Sequence, residues 1–178
     1  MLRSEPYFLK SPRLGFSRWT KDDLPLTQAV WGDSAVTRFV GGPFSLEQVA
    51  QRLDREIASQ NNFNIQYWPI FLLTTGEHVG CAGMRIHKLE EKIYAMGFYL
   101  GPPFWGKGFS TEAGRAVITY AFDLLGAKAL SAGHHPENTA SRKVLARLGF
   151  QFTHKQLYPP TGLEHDSYPL KRPVADRR

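Results

Sequence analysis

The segment 99–113 has the residue spacing that most directly indicates ligand chemistry in this chain of 178 residues. An apolar run from Met96 to Leu100 predicts a strand, a turn rich in Gly and Pro follows, and a helical pattern runs from about Thr111 to Leu125. Glycines let a backbone approach a ligand closely, and the start of a helix offers unpaired N–H groups and the positive end of its dipole. The order of strand, glycine loop and helix therefore predicts a phosphate-binding loop.

A nucleotide-binding P-loop is the first alternative for this segment. Residues 101–107 match G-x-x-x-x-G-K, but a P-loop needs Ser or Thr at the next position to ligate magnesium, and this chain has Gly108. Pro102 and Pro103 also remove two backbone N–H donors. The pattern therefore favours a ligand that is bound through its phosphates without a metal.

A second motif, residues 136–150, reads P-E-N-T-A-S-R-K-V-L-A-R-L-G-F, and residues 105–113 read W-G-K-G-F-S-T-E-A. In this order, with a helix and a strand between them, the two motifs resemble the GNAT superfamily of acetyl-coenzyme-A-dependent N-acetyltransferases. The resembled branch contains the RimJ and RimL ribosomal-protein N-terminal acetyltransferases. Residues 11–14 and 19–24 extend the similarity toward the N-terminus, so it covers nearly the whole chain.

The loop departs from the usual superfamily pattern, Q/R-x-x-G-x-G/A, at two positions. Trp105 stands in place of Gln or Arg, and Ser110 stands in place of the final Gly or Ala. Both replacements are typical of the resembled branch. The resemblance implies that the loop backbone binds the pyrophosphate of coenzyme A and that the preceding strand pairs its free edge with the pantetheine amides. The predicted cofactor-binding residues are Phe98, Tyr99, Leu100, Trp105, Gly106, Lys107, Gly108, Phe109, Ser110, Thr111, Asn138 and Ser141.

The resemblance also implies catalytic roles in the second motif. Ser141 would lie near the sulfur as thiol partner and proton donor, and Asn138 would position pantetheine or a water molecule. The alternative from the residues alone is that Asn138 caps a helix and Ser141 makes a local bond in its first turn. The predicted catalytic residues are Ser141, Asn138 and His134, and no metal is expected.

Two groups that many relatives carry are missing. Many relatives place a tyrosine that protonates the thiolate seven residues after the motif asparagine, but here that position is Leu145. Several relatives also carry a glutamate in the segment that corresponds to residues 94–97, which contains none here. Their absence leaves open a coenzyme-binding regulatory module that has lost catalysis. His134 and His135 are the best-placed bases because they end a predicted strand beside Asn138. The full set of candidate bases is His134, His135, Glu137, His165 and Asp166.

The missing carboxylate bears on the acceptor amine. Deprotonation at pH 7 costs roughly 1 kcal/mol for an α-amine and roughly 5 kcal/mol for a lysine. The sequence therefore favours a low-pKa amine. The resemblance implies protein N-termini, with small amines as the alternative. Acceptor selection is expected in the first two helices and the last hairpin. The candidates are Trp31, Phe39, Phe44, Tyr158 and Glu164, and each could equally belong to the core or the rim.

Composition predicts one α+β domain over residues 1–172, followed by a mobile basic tail at 173–178. The net charge of +6 suits an anionic ligand such as coenzyme A, and ordinary solubility explains it equally well. The single Cys81 and the lack of a long apolar run favour a cytoplasmic protein without a membrane span. No nucleic-acid partner is expected, and the sequence leaves monomer and homodimer open.

The predicted fold is a GNAT-like mixed, mostly antiparallel twisted sheet of about six to seven strands, flanked by about four helices. In the resembled family the central strands splay to form the acetyl-coenzyme A cleft. Helices are predicted from Thr20 to Trp31, from Ser45 to Gln60, from Thr111 and from Asn138. A final hairpin is predicted from Phe150 to Leu170, with its turn at residues 158–162.

Overall fold

A computed structural model describes residues 7–172, and the tail predicted at 173–178 lies outside the described residues. One mixed sheet has the strand order β1-β2-β3-β4-β5-β6-β8-β7. The strands are β1 (Leu9–Lys10), β2 (Leu14–Phe16), β3 (Tyr67–Leu72), β4 (His78–Lys88), β5 (Ile93–Leu100), β6 (Ala129–His134), β7 (His154–Tyr158) and β8 (Leu163–Lys171). The α-helices are α1 (Leu24–Trp31), α2 (Ser34–Thr37), α3 (Leu46–Phe63), α4 (Phe109–Thr119) and α5 (Thr139–Arg147).

The sheet is antiparallel from β1 to β5, parallel between β5 and β6, and antiparallel again between β6, β8 and β7. The predicted α+β class and the mostly antiparallel sheet are confirmed. The described residues contain eight strands and five α-helices, slightly more than predicted. The short elements β1 and α2 have two and four residues, too few to produce a readable period.

Helices cover both faces of the sheet and create two apolar cores. On one face, α1 and α3 pack on β3 and β4, with Trp31, Leu53 and Phe71 among the buried side chains. On the other face, α4 and α5 cover β4 to β6, with Met84 and Leu130 in the core. Because the central strands are buried on both faces, their apolar residues run almost without interruption.

Capping residues set the ends of the helices. Ser45 Oγ accepts a hydrogen bond from the Gln48 N–H at 3.2 Å, and Gln48 Oε1 accepts one from the Ser45 N–H at 2.9 Å. This is the predicted capping box of α3. The predicted end of α3 at about Gln60 was too early. The helix continues to Phe63 because Asn64 takes the left-handed conformation (φ 58°) that ends a helix.

The helix after the glycine loop also begins earlier than predicted. The prediction started it at Thr111, whereas α4 begins at Phe109, immediately after Gly108. The first N–H groups of α4 therefore lie inside the loop. A wider π-type turn, Tyr120–Leu124, follows α4 and leads to β6.

Candidate active site

The strands β5 and β6 separate in the middle of the sheet. They pair only from Ile93 to Ala95 on β5, opposite Ala129 to Ser131 on β6. Beyond that point β5 stays paired with β4 as far as Leu100, and β6 stays paired with β8. The predicted splay of the central strands is confirmed. A cavity of about 940 Å³ occupies the opening and reaches both faces of the sheet.

The edge of β5 that faces the opening has free main-chain groups. The Gly101 N–H donates to the Val79 carbonyl at 3.0 Å, which fixes the alternation of bonded pairs between β4 and β5. The main-chain N–H and C=O groups of Tyr99 therefore bond to β4, whereas those of Phe98 and Leu100 point into the opening. Of the three predicted edge residues, Tyr99 lines the cavity through its side chain instead.

Trp105 links the end of β5 to the glycine loop. Its indole N–H donates to the Leu100 carbonyl at 2.8 Å, and half of the residue remains exposed (50%). This bond uses one of the two lone pairs of the Leu100 carbonyl, whereas the Leu100 N–H is free for a ligand. Trp105, at the position of Gln or Arg in the general superfamily pattern, therefore holds the loop against the end of β5.

The loop that precedes α4 forms a cradle of N–H groups. Gly106 and Gly108 have φ of 72° and 80°, a region that favours glycine. Within residues 7–172, the N–H groups from Gly106 to Thr111 donate to no protein acceptor. They lie at the positive end of the α4 dipole. This geometry fits the pyrophosphate of coenzyme A.

An ion pair holds the loop against the N-terminal part of the chain. Glu112 accepts hydrogen bonds from the Ser11 hydroxyl (2.6 Å), the Arg13 N–H (2.7 Å) and Arg13 Nε (2.7 Å). Arg13 also donates to the Lys107 carbonyl at 3.1 Å, and its guanidinium lies 4.4 Å from the centre of the Phe109 ring. Burial alone would raise the pKa of Glu112, but these bonds outweigh it and lower the pKa.

Sequence reasoning missed Arg13 and Glu112 as functional residues. Both lie in segments that carry the resemblance, residues 11–14 and 105–113. Those segments are distant in the chain, so no local pattern could pair them. A glutamate in the first turn of α4 nevertheless indicates a stabilised carboxylate at that helix end, which a basic residue could pair with.

The second motif opens α5 at the far side of the cavity. Asn138 Oδ1 accepts a hydrogen bond from the Ser141 N–H at 3.1 Å, so Asn138 does cap the helix. The Ser141 hydroxyl, in contrast, makes no hydrogen bond within the described residues, and Ser141 lines the cavity. Leu145 is buried in the same wall. The local bond considered for Ser141 is therefore absent from the described part of the chain.

His134 has both ring nitrogens engaged. Nδ1 donates to the His135 carbonyl at 2.7 Å, and Nε2 lies 2.8 Å from the Tyr168 hydroxyl, which also contacts Asp166 Oδ2 at 3.4 Å. Its side chain is only 2% exposed, and Asp166 lies 3.8 Å away. These bonds favour a structural role. The catalytic role of His134 stays a prediction.

His165 has one unshared nitrogen on the opposite face of the sheet. The Thr161 hydroxyl donates to the Tyr158 carbonyl (3.3 Å), so it accepts from His165 Nε2 at 3.1 Å. This arrangement favours the Nε2–H tautomer and leaves a lone pair on Nδ1, which has no partner among residues 7–172. Burial lowers the pKa of His165, and the nearby His135 and His134 lower it further.

The His135 ring lies beside His165 but is less suited to accept a proton. The Glu137 N–H donates to His135 Nδ1 at 3.1 Å, so the neutral ring carries its proton on Nε2. Phe39 packs 5.0 Å from the His135 ring. Glu137 is exposed outside the cavity lining.

The family follows from comparison with known proteins. The acetyltransferase (GNAT) domain matches residues 13–151. The chain belongs to the GNAT acetyltransferase family. An uncharacterized N-acetyltransferase, p20 of Bacillus licheniformis, is 31% identical over 148 residues, which cover 80% of this chain and 82% of that protein.

Solved GNAT structures share the whole fold. An acetyltransferase from Agrobacterium tumefaciens has 26% identity and a TM-score of 0.76, with 96% of this chain and 99% of that chain covered. RimL, a ribosomal L7/L12 alpha-N-protein acetyltransferase in complex with coenzyme A, has 18% identity and a TM-score of 0.78, with 90% and 95% covered. The predicted family, fold and enzyme class are confirmed.

Two of the five residues predicted to select the acceptor line the cavity of this GNAT enzyme, Phe39 and Tyr158. Trp31 is fully buried, so of the alternatives for this residue, an acceptor contact or a core position, it takes the core position. Phe44 packs on the same core, and Glu164 points outside the cavity lining. Sequence reasoning missed Tyr67 and Arg85, which line the cavity from β3 and β4.

Other kinds of site are not found in the described part of this acetyltransferase. Residues 7–172 contain no group of three His, Cys, Asp or Glu side chains placed to hold a metal ion. No helix among the same residues is long and apolar enough to cross a membrane. Cys81 is buried with a free thiol, and burial raises its pKa.

Proposed function

We propose that this GNAT enzyme transfers the acetyl group of acetyl-coenzyme A to a primary amine by direct attack in a ternary complex. The observation that supports this proposal is the single cavity that crosses the sheet where β5 and β6 separate. Its half on the α4 and α5 side, the cofactor half, has the cradle of N–H groups. Its half on the α1 to α3 side, the acceptor half, contains His165 and Tyr158. The thioester and the amine can therefore meet in the opening.

The cofactor half would hold acetyl-coenzyme A mainly through the main chain. The free N–H groups of residues 106–111 suit the pyrophosphate, and the edge of Phe98 and Leu100 suits the pantetheine amides. Lys107 is exposed beside the loop and adds positive charge. Asn138 and Ser141 complete this half near the thioester.

His165 is the base that fits the geometry better than His134. The amine nitrogen attacks the thioester carbonyl carbon, a C–N bond forms, and the nitrogen passes one proton to His165 Nδ1. The C–S bond breaks, and the thiolate takes a proton that the Ser141 hydroxyl relays from solvent water. The lowered pKa keeps His165 neutral at pH 7, ready to accept the proton.

An α-amine, such as a protein N-terminus, is the acceptor that suits this machinery. Its pKa lies near 8, so freeing it of a proton at pH 7 costs roughly 1 kcal/mol, against roughly 5 kcal/mol for a lysine. A single neutral imidazole meets the smaller demand. The fold shared with RimL, whose structure is that of a ribosomal-protein acetyltransferase, supports the same choice at the level of fold.

Ser141→Ala tests the proposal. The variant should bind coenzyme A with unchanged affinity in calorimetry and lose about 100-fold in kcat, because it lacks the hydroxyl that protonates the thiolate. Release of free thiol from acetyl-coenzyme A, with a panel of N-terminal peptides, measures the rate. Thr139→Ala, an exposed change on the same helix turn, is the matched control.

Two results would contradict this account of function. Equal kcat in Ser141→Ala and the wild type would remove the serine from the reaction. Coenzyme A binding without turnover of any amine would favour the coenzyme-binding module that lacks catalysis.

A further inference from the structure

The acceptor half of the cavity is built from residues that alternate along β4 and β5. Gly83 and Arg85 on β4 and Gly97 and Tyr99 on β5 project to this face. A Cβ at Gly97 would lie 2.9 Å from the Tyr67 hydroxyl, so the absence of a side chain there lets the phenol cross β5. The Tyr67 hydroxyl thereby reaches the cavity wall.

Arg85 lines this half without an acidic partner. Arg52 and Arg13, in contrast, form ion pairs, Arg52 with Glu56 at 3.6 Å and Arg13 with Glu112 at 2.7 Å. The Arg85 guanidinium makes no ion pair and no hydrogen bond within residues 7–172, and the residue is exposed where it lines the cavity. The planar fork of an arginine is suited to bind an anion in bidentate fashion.

Three tyrosines, Tyr67, Tyr99 and Tyr158, line the same cavity as Arg85. Arg85 itself is exposed to solvent on this wall. Burial raises the pKa of Tyr67 and of Tyr158, so both stay protonated and can donate. None of the three hydroxyls has a hydrogen-bond partner among the described residues.

A buried ion pair supports the two inner tyrosines from behind. The Arg52 guanidinium lies 5.4 Å from the centre of the Tyr67 ring and 5.5 Å from that of Tyr99. Glu56 accepts a hydrogen bond from the Tyr67 N–H at 2.7 Å. The two charges of this pair cancel each other, so the pair does not neutralise Arg85.

Carboxylates are lacking on the acceptor side. Among the described residues that line the whole cavity, Asp166 is the one carboxylate, and it lies on the other face, 3.8 Å from His134. Arg38 adds a second cation to the acceptor half. Such a wall repels a polyamine or an aminoglycoside and attracts an acceptor with negative charge.

We propose that the acceptor is an amine that carries a carboxylate, and that Arg85 binds this carboxylate together with the hydroxyls of Tyr67, Tyr99 and Tyr158. This inference rests on the proposed acetyl transfer and names the class of its acceptor. The carboxylate belongs to an acidic side chain next to a peptide N-terminus or to the amino acid itself. In both cases the amine points toward His165 and the opening between β5 and β6.

Two matched acceptor pairs test the inference. The first is a C-terminally amidated peptide that begins Ala-Asp against the same peptide that begins Ala-Asn, and the second is alanine against alaninamide. With wild-type enzyme, kcat/KM should be about 10- to 100-fold higher for the charged member of at least one pair, because a hydrogen bond to a charged group contributes on this scale. The pair that discriminates identifies the source of the carboxylate.

The variants locate that preference. Arg85→Gln should bring the ratio within the discriminating pair to about one, and Arg55→Gln, an exposed change of the same charge on α3, should leave it unchanged. Unchanged melting temperatures and coenzyme A affinity would show that both variants fold. Retention of the full ratio by Arg85→Gln would overturn the inference.

The two proposals fail in different ways. Wild-type turnover with equal kcat/KM within both pairs would overturn the carboxylate inference and leave acetyl transfer intact. Coenzyme A binding with no turnover of any amine would overturn the proposed transfer, and the inference with it.

Discussion

The two halves of the cavity recognise their ligands by different means. In the cofactor half, main-chain N–H groups from a single loop and a strand edge face the ligand. In the acceptor half, side chains from β3, β4, β5 and the β7–β8 hairpin converge. Main-chain recognition depends on backbone conformation, which a few glycines set locally. Side-chain recognition depends on which strands are neighbours, and it can change without disturbing the donor site.

Replacement of His165 should have the largest effect and should be confined to the acceptor half. His165→Gln should lower kcat about 100-fold with unchanged coenzyme A affinity. In the wild type, kcat should fall as pH falls through the lowered pKa of His165, which lies below its ordinary 6.5. In His165→Gln, kcat should no longer show this fall at low pH. Steady-state kinetics at saturating substrates from pH 5 to 8 measure both.

His134→Gln is the informative companion variant. It removes a ring that bonds the His135 carbonyl and the Tyr168 hydroxyl, so it should lower the melting temperature more than kcat. A large loss of kcat at an unchanged melting temperature would return the role of base to His134.

A smaller effect, on the affinity for coenzyme A, is expected when the main chain of the cofactor half is changed. Gly108→Ala should raise the dissociation constant of coenzyme A by roughly 5- to 30-fold, because a left-handed alanine costs roughly 1–2 kcal/mol and relaxation would turn the N–H groups away. Gly126→Ala has the same kind of strain (φ 63°) in a turn outside the cavity and should not change binding. Equal effects of the two variants in calorimetry would contradict the cradle.

Glu112→Gln should produce a smaller, several-fold rise in KM for acetyl-coenzyme A, because it weakens the contacts that hold the loop to Arg13. The lowered pKa of Glu112 makes its stabilisation complete above the unfolded pKa near 4.5 and lost as pH falls. The stability difference between wild type and variant should therefore shrink in acid urea titrations. Glu90→Gln, exposed in the β4–β5 turn, should show neither change.

Tyr158→Phe should have the smallest effect. The change removes one neutral hydrogen bond to the acceptor, so the acceptor KM should rise by roughly 2- to 10-fold with the affinity for coenzyme A unaltered. Tyr120→Phe, which loses a hydroxyl bonded to the Asn64 carbonyl far from the acceptor half, is the control. A change in coenzyme A binding by Tyr158→Phe would break the separation between the two halves.

The same contrast explains what could be predicted from the sequence. The splay, the loop and the cap at Asn138 lie in contiguous motifs, and their positions were predicted to within a few residues. Arg85 and Tyr67 were missed because each sits in an apolar strand, and only the register of β3, β4 and β5 brings them together. The sequence left Trp31 open between the core and the acceptor site, because an aromatic residue at the end of a helix gives the same pattern in both.

Hydrogen exchange of the amide groups, measured by mass spectrometry with and without coenzyme A, tests the division of the cavity most directly. Coenzyme A should slow exchange of the amides in residues 106–111 and at Phe98 and Leu100, where free N–H groups face the cavity. Exchange in the β7–β8 hairpin should stay the same. Protection of the hairpin without protection of the loop would contradict the account.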